Sequence, residues 1–259
     1  IFIFLMFTYF SSFAQPVDEY KQVGSIADME RDAHQRILLG KEATVASDNF
    51  DVKYYRCEWD LDPVARYING KITVYFVVTL PSSSITLDLM STLNTDSVKQ
   101  RGILLSFNRP ANGLQINFAS TLNTGTLDSV SIYYKGVPAN TGFGSFIQSS
   151  HSGIPVIWSL SEPYGARDWW PCKNGLDDKA DSIDVIITNP VAYSAASNGL
   201  LLYEMLTGGG TKKIAHWKHR YPIASYLVCM AVTNYTVFNN QVQLGAVNLP
   251  VQTHCYPEN

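Results

Sequence analysis

The residues of this 259-residue chain that could do chemistry gather between Trp158 and Asp178, in the run W-S-L-S-E-P-Y-G-A-R-D-W-W-P-C-K-N-G-L-D-D. Tryptophans, prolines, an arginine and an acidic cluster alternate there, a mixture that no hydrophobic core requires. It reads as a rigid loop presented by a β-framework, the usual place for recognition. Its candidate acceptor is Glu162, with Pro163 restricting the backbone that carries the carboxylate. A carboxylate held in this way accepts charge-assisted hydrogen bonds, and Arg167 is the nearest cation in sequence. Arg167 with Asp168, Asp177, Asp178 and Asp181 reads as an Arg–carboxylate network that holds the loop shut. A metal site fits less well, because Asp177-Asp178-Lys179 lacks calcium-loop spacing. Trp169 and Trp170 could stack sugars, but paired aromatics before a proline read better as core anchors.

Other chemistry is sparse. Four cysteines, Cys57, Cys172, Cys229 and Cys255, show neither C-x-x-C nor another metal spacing, and three disulfide pairings or none are open. The five histidines, His34, His151, His216, His219 and His254, form no H-E-x-x-H motif, so they assemble no metal site. His216-Trp217-Lys218-His219 alternates as a strand does, with polar side chains expected outward. The formal net charge is −3 with 16% charged residues. No Lys/Arg run points to nucleic acid or an anionic membrane surface.

The elements that must position Glu162 are strands. Ile72, Val74, Phe76, Val78 and Leu80 alternate on one face from Lys71 to Leu80, and Ile85, Leu87, Leu89 and Leu114, Ile116, Phe118 repeat the pattern. Leu127 to Lys135 and Ile183 to Thr188 add strands, and Tyr226 to Val237 reads as one longer strand covered on both faces. Asn69-Gly70, Pro81 to Ser84, Asn112-Gly113, Asn198-Gly199 and Gly208 to Gly210 read as turns. Many short strands at this spacing predict an all-β sandwich or layered sheets. Ser25 to Leu39 reads as a short preceding helix, capped by Ser25 and ended at Gly40. Residues 1–14 read as the remnant of a secretory signal peptide, with an apolar Ile1–Phe10 and small residues at Ser12 and Ala14. That apolar run is shorter than the roughly twenty residues a membrane span needs. The chain is therefore expected to be exported, with both ends clipped.

Glu162-Pro163, Ala166-Arg167, Trp169-Trp170-Pro171-Cys172 and Asp177-Asp178-Lys179-Ala180 together resemble the signature loop in the N-terminal domain of M1-family zinc aminopeptidases. Other landmarks follow in order. Asp51 to Leu61 resembles the opening strand, Tyr67 to Gly70 a hairpin, and Leu87-Asp88-Leu89 with Asp96 to Val98 the next segment. Gly142 to Phe146 resembles a glycine-aromatic loop, Ala196 to Gly199 the S-N-G turn, and Tyr221 to Leu227 the "P-M-x-x-Y-L" strand.

The resemblance implies a saddle-shaped, multi-sheet all-β domain over residues 49–256, after a helical lead-in at 15–48. Residues 257–259 would begin a catalytic domain that the chain lacks. Zinc in the parent would be held by that missing domain, so the resemblance implies no catalytic residue and no bound metal here. It implies that Glu162 binds the α-amino group of a peptide substrate. Leu160, where many members carry Gln, would form a more apolar wall of the first specificity pocket. Pro163, Arg167 and Asp178 would support the loop. The implied partners are peptide substrates and the catalytic domain of the same chain, with no nucleic acid and no membrane span. Two other functions are weighed against this one: a non-catalytic M1-like scaffold for protein binding, and a carbohydrate-binding sandwich using Trp158, Trp169 and Trp170.

Overall fold

From Phe50 onward, side chains alternate between apolar and polar, so each strand has one face to bury. The computed structural model describes residues 44–141 and 144–259, which fall within one compact unit, Lys41–Asn259. The expected signal remnant, the helix over Ser25 to Leu39 and the Gly142-Phe143 part of the glycine-aromatic loop lie outside the described residues.

In chain order the strands are β1 (Phe50–Asp60), β2 (Ile68–Val78), β3 (Ser82–Asp88), β4 (Leu93–Gln100), β5 (Ile103–Leu105) and β6 (Phe107–Asn108). Then come β7 (Gly113–Leu122), β8 (Leu127–Gly136), β9 (Ser145–His151), β10 (Ile154–Leu160), β11 (Ser182–Pro190) and β12 (Ser194–Ser197). The last are β13 (Leu200–Thr207), β14 (Lys212–His219), β15 (Met230–Thr233), β16 (Thr236–Leu244) and β17 (Val247–Cys255). An eight-stranded sheet runs β13-β14-β11-β1-β2-β8-β4-β5, a four-stranded sheet β12-β15-β10-β9 and a three-stranded sheet β3-β7-β6, with β16-β17 as a separate ribbon. Within the large sheet β1 and β11 are parallel, and β1 pairs antiparallel with β2. The architecture is all-β, as its pattern predicts.

Two aromatic groupings fill the core. Phe76 of β2 stacks on Phe118 of β7 with ring centres 6.0 Å apart, which joins the eight- and three-stranded sheets. At the other end Trp59 of β1 meets Trp169 at 4.8 Å. Burying a large apolar side chain stabilises the fold by about 1.5–3 kcal/mol, and a good aromatic pair adds about 0.5–1.5. The Trp59 indole N–H donates to the Tyr134 hydroxyl at 2.9 Å, and that hydroxyl donates to the Trp169 carbonyl at 2.9 Å.

Four local expectations are corrected. Asn69-Gly70 is not a turn but part of β2, where Gly70 lies opposite Trp59 on one side and Tyr134 on the other. The glycine is required because the Tyr134 ring crosses it; an added Cβ would come within 2.5 Å of that ring. Leu80 lies beyond the end of β2 and is 61% exposed, because the chain has already turned toward β3. Tyr226 to Val237 is not one strand. A 3-10 turn at Ser225–Leu227 precedes the short β15, and Thr236 starts the ribbon. Tyr221 to Leu227 is likewise not a strand, although Ile223 makes an isolated bridge with Ala180. The alternation expected from His216 to His219 holds, with His216 and Lys218 on one face; His216 is nevertheless covered there, 3.1 Å from Asp184, which Lys218 also pairs at 2.5 Å.

Gly70→Ala is expected to destabilise the fold by about 1–3 kcal/mol through overpacking against Tyr134. Urea unfolding reads this as a lower midpoint at unchanged slope, and an unchanged midpoint would contradict the close-approach account.

Candidate functional site

Leu160 ends β10, and the chain then turns through Ser161 and Glu162 into a short 3-10 segment at Ala166–Asp168. The turn is held from beneath. The Trp169 indole N–H donates to Ser161 Oγ at 2.9 Å, and the Gly165 N–H donates to the Ser161 carbonyl at 2.8 Å. Gly165 lies directly on Ser145, whose Oγ would be 2.3 Å from any added Cβ. Ser145 Oγ and the Thr141 N–H in turn donate to the Asp168 carboxylate at 2.6 and 3.0 Å. Burial holds the Asp168 carboxyl above its ordinary pKa, while the Ser145 and Thr141 hydrogen bonds and the Arg167 charge oppose that rise.

The far side of the loop is tied to β3 by Asp88, which is fully buried. Its carboxylate accepts N–H groups from Val45 at 2.7 Å and Asn174 at 3.0 Å, together with the Thr44 hydroxyl. Its backbone exchanges hydrogen bonds with Cys172 in both directions. Asn174 carries the restraint onward, donating to the Tyr164 carbonyl at 2.8 Å and accepting the Arg167 N–H at 3.3 Å. Neither Asp88 nor Asn174 stands out in sequence as a loop support: Asp88 reaches Asn174 across 86 residues, and Asn174, though it acts within the loop, is one polar residue among many there.

The expected Arg–carboxylate network is not assembled from Asp177, Asp178 and Asp181. Asp178 pairs with Lys173 at 2.8 Å and accepts the Val52 N–H at 3.3 Å, while Asp181 lies 4.0 Å from Lys53 and Asp177 is exposed. The loop crosses the start of β1 here, and Lys173 supplies the cation. Lys173 Nζ also reaches the Phe50 carbonyl at 2.8 Å, and its N–H reaches the Tyr55 hydroxyl at 3.0 Å. Arg167 is buried in the loop, with its carbonyl accepting the Met90 N–H at 3.0 Å.

Glu162 itself is part-exposed, and the Glu162–Pro163 peptide is cis. Its Oε2 is shielded from solvent yet accepts no hydrogen bond among the described residues. The neighbouring edge is built by the end of β12 and the start of β15. Asn198 Oδ1 accepts the Cys229 N–H at 2.7 Å, Asn198 Nδ2 donates to the Leu227 carbonyl at 2.9 Å, and Ser197 Oγ donates to the Cys229 carbonyl at 2.7 Å. Burial pushes the Cys229 thiol up, and the nearby Glu162 charge pushes it further the same way. Leu160, two residues before Glu162, is 38% exposed. Sequence reading missed Cys229, and it took Asn198 only as a turn residue. All four cysteines are free; Cys57 and Cys172 are buried in the core.

Chemically Glu162 offers a carboxylate oxygen that is desolvated and unsatisfied, as are Asp168 Oδ1 and Asp178 Oδ1 deeper in the loop. A buried acceptor without a partner costs about 1–3 kcal/mol, and a donor cation removes that cost. Among the described residues no three His, Cys, Asp or Glu side chains group to hold a metal ion. Trp169 and Trp170 are fully buried, so neither is available to stack on a sugar. No described helix is long and apolar enough to cross a membrane.

A model of the peptidase M1 N-terminal domain matches residues 51–227. The chain belongs to that family. An M1 zinc metallopeptidase from Deinococcus radiodurans has the same fold, with 23% identity and a TM-score of 0.71 over 80% of this chain and 47% of that one. A mutant of the Deinococcus radiodurans enzyme bound to a Tyr-Ser-Ala substrate matches at 22% identity and a TM-score of 0.71, over 80% of this chain and 48% of that one. A two-domain M1 zinc metallopeptidase mutant bound to L-arginine matches at 23% identity and 0.71, with the same coverage of 80% and 48%. The chain thus spans about half the length of these solved structures. No curated protein matches it.

The Asp168 geometry fixes a pH dependence. Its folded-state pKa is raised, so its stabilising contribution is full below the unfolded value of about 3.9 and is lost as pH rises through the folded value. Relative to Asp168→Asn, the wild type should be most favoured near pH 3 and progressively less so toward pH 7, as measured by urea unfolding. A stability difference that grows with pH would contradict the burial account.

Proposed function

We propose that this chain is the substrate-binding N-terminal domain of a zinc metallo-aminopeptidase, with Glu162 receiving the α-ammonium of a peptide substrate. The observation that supports this most is the shielded, unbonded Glu162 Oε2 at the open end of the four-stranded sheet. An enzyme that removes N-terminal residues must recognise a free ammonium, and a fixed carboxylate is the acceptor that does so. The ligands named for the similar structures, a Tyr-Ser-Ala substrate and free L-arginine, both carry that group.

In this reading Leu160, exposed beside Glu162, gives an apolar wall to the first specificity pocket. Pro163 fixes the backbone at Glu162, while Arg167 and Asp178 support the loop from within. Ser161, pinned by Trp169, keeps the carboxylate from swinging, which is the pre-positioning that binding a small cation needs. The described residues do not fit a zinc ion, having no grouped donor set. The metal and the bond-breaking step are therefore assigned to a catalytic domain outside this chain. The apolar start of the sequence accords with an exported parent.

In the full-length parent, Glu162→Ala should lower kcat/KM by about 10- to 100-fold, the worth of one charge-assisted hydrogen bond, and leave zinc content unchanged. Kinetics on an aminoacyl-anilide with metal analysis decides it; a variant with wild-type kcat/KM retires the assignment. This chain alone should show no chelator-sensitive turnover of the same substrate.

A further inference from the structure

A recess lies between the terminal ribbon and the edges of two sheets. It has a volume of about 1110 Å³, comparable to or slightly above the roughly 300–1,000 Å³ of small-molecule sites. The ribbon register sets Val237 opposite His254, Asn239 opposite Gln252 and Gln241 opposite Pro250. All six line the recess, as do Asn240 and Val251 paired between them, so this stretch of the ribbon forms one wall. Every residue of β12 lines the opposite side, as happens when a strand presents its edge rather than one face. Among the described residues β12 is the outer strand of its sheet and has no partner beyond it. An open edge is a row of unpaired N–H and C=O groups, the template on which extended chains add.

Two residues that line the recess each carry a buried polar atom with no partner among the described residues. Trp217 is 4% exposed and its indole N–H is unbonded; His254 Nδ1 is buried and unbonded, with the two rings 5.8 Å apart. Gln252 donates through its amide nitrogen to Asn239 Oδ1 at 2.8 Å, so its Oε1, 3.0 Å from His254 Nε2, must accept. His254 therefore carries its proton on Nε2, and Nδ1 is an acceptor. Burial keeps the ring below its ordinary pKa, with Glu204 opposing and Lys213 assisting, so it is neutral at pH 7. One orphan donor beside one orphan acceptor matches the N–H and C=O of a peptide backbone. The amide-bearing walls carry a single carboxylate, Glu204, which Lys213 meets at 3.5 Å.

We propose that this groove binds an uncharged, extended polypeptide segment by strand addition to β12, with Trp217 Nε1 and His254 Nδ1 meeting a carbonyl and an N–H of that segment. Glu162 does not line this groove, although Ser197 at the end of β12 borders both places, and the groove does not require a free α-ammonium.

The test uses the full-length protein and acetyl-Thr-Val-Ser-Val-Thr-Val-amide, which is blocked at both ends. Calorimetry should give saturable binding that excess L-arginine, a carrier of the free α-ammonium, does not displace. N-methylation of alternate residues, which removes backbone donors, should weaken binding at least about tenfold, and Trp217→Phe about fivefold. Absence of binding at millimolar peptide, or equal binding of the N-methylated analogue, overturns the proposal. Displacement by L-arginine also overturns it, by placing the peptide at Glu162 and leaving the reading of that residue intact. If Trp217→Phe does not fold, the N-methylated comparison decides alone.

Discussion

The structure depends on one buried polar relay laid across a glycine. Gly70 has no side chain, so the Tyr134 ring can lie over it and bring its hydroxyl to the Trp59 indole. Burying a hydroxyl or an indole N–H is unfavourable unless each finds a partner. Both do: Trp59 donates to Tyr134, Tyr134 donates to the Trp169 carbonyl, and the Trp169 indole donates to Ser161. The relay starts in the middle of the large sheet and ends next to Glu162. The position of that carboxylate is therefore set by the core of the framework, not by the loop's own conformational preferences.

A second set of restraints closes the loop from outside. Asp88 at the end of β3 gathers N–H groups from Val45 and Asn174, and Asn174 fastens Tyr164 and Arg167. Lys173 and Asp178 pair in a part-buried position against the start of β1. Breaking such a pair would leave an uncompensated charge, so the pair specifies the loop's path more than it adds net stability. Glu162 Oε2 is one of several shielded polar atoms left without a hydrogen bond, and Asp168 Oδ1 and Asp178 Oδ1 in the same loop are others. A ligand that reaches such a group removes a cost the protein already bears. Trp217 Nε1 and His254 Nδ1 follow the same logic in the groove beside β12.

Much of the strand framework was legible because burial on one face writes a period of two into the sequence. Ile72, Val74, Phe76 and Val78, with Ile85 and Leu87, are fully buried as that pattern requires. Errors arose where local signals compete with packing. Asn69-Gly70 has turn chemistry, but its glycine serves a cross-strand contact with Tyr134. The apolar run from Tyr226 to Val237 has no period of its own, so nothing in it marks the break between the 3-10 turn, β15 and β16. His216 keeps the polar face it shares with Lys218, but Asp184 and Tyr203 on the neighbouring strands cover it there.

By itself, the sequence determined the all-β class, the family-signature loop from Trp158 to Asp178 and the residue types it carries, because periodicity and composition are local. Only the tertiary structure decided which acids support the loop, that Cys229 and Asn198 border Glu162, and that its Oε2 stays unpaired. It also revealed the groove beside β12. Those outcomes depend on which distant segments meet, and hydrogen-bond pairing across tens of residues leaves no mark on the order of amino acids along one chain.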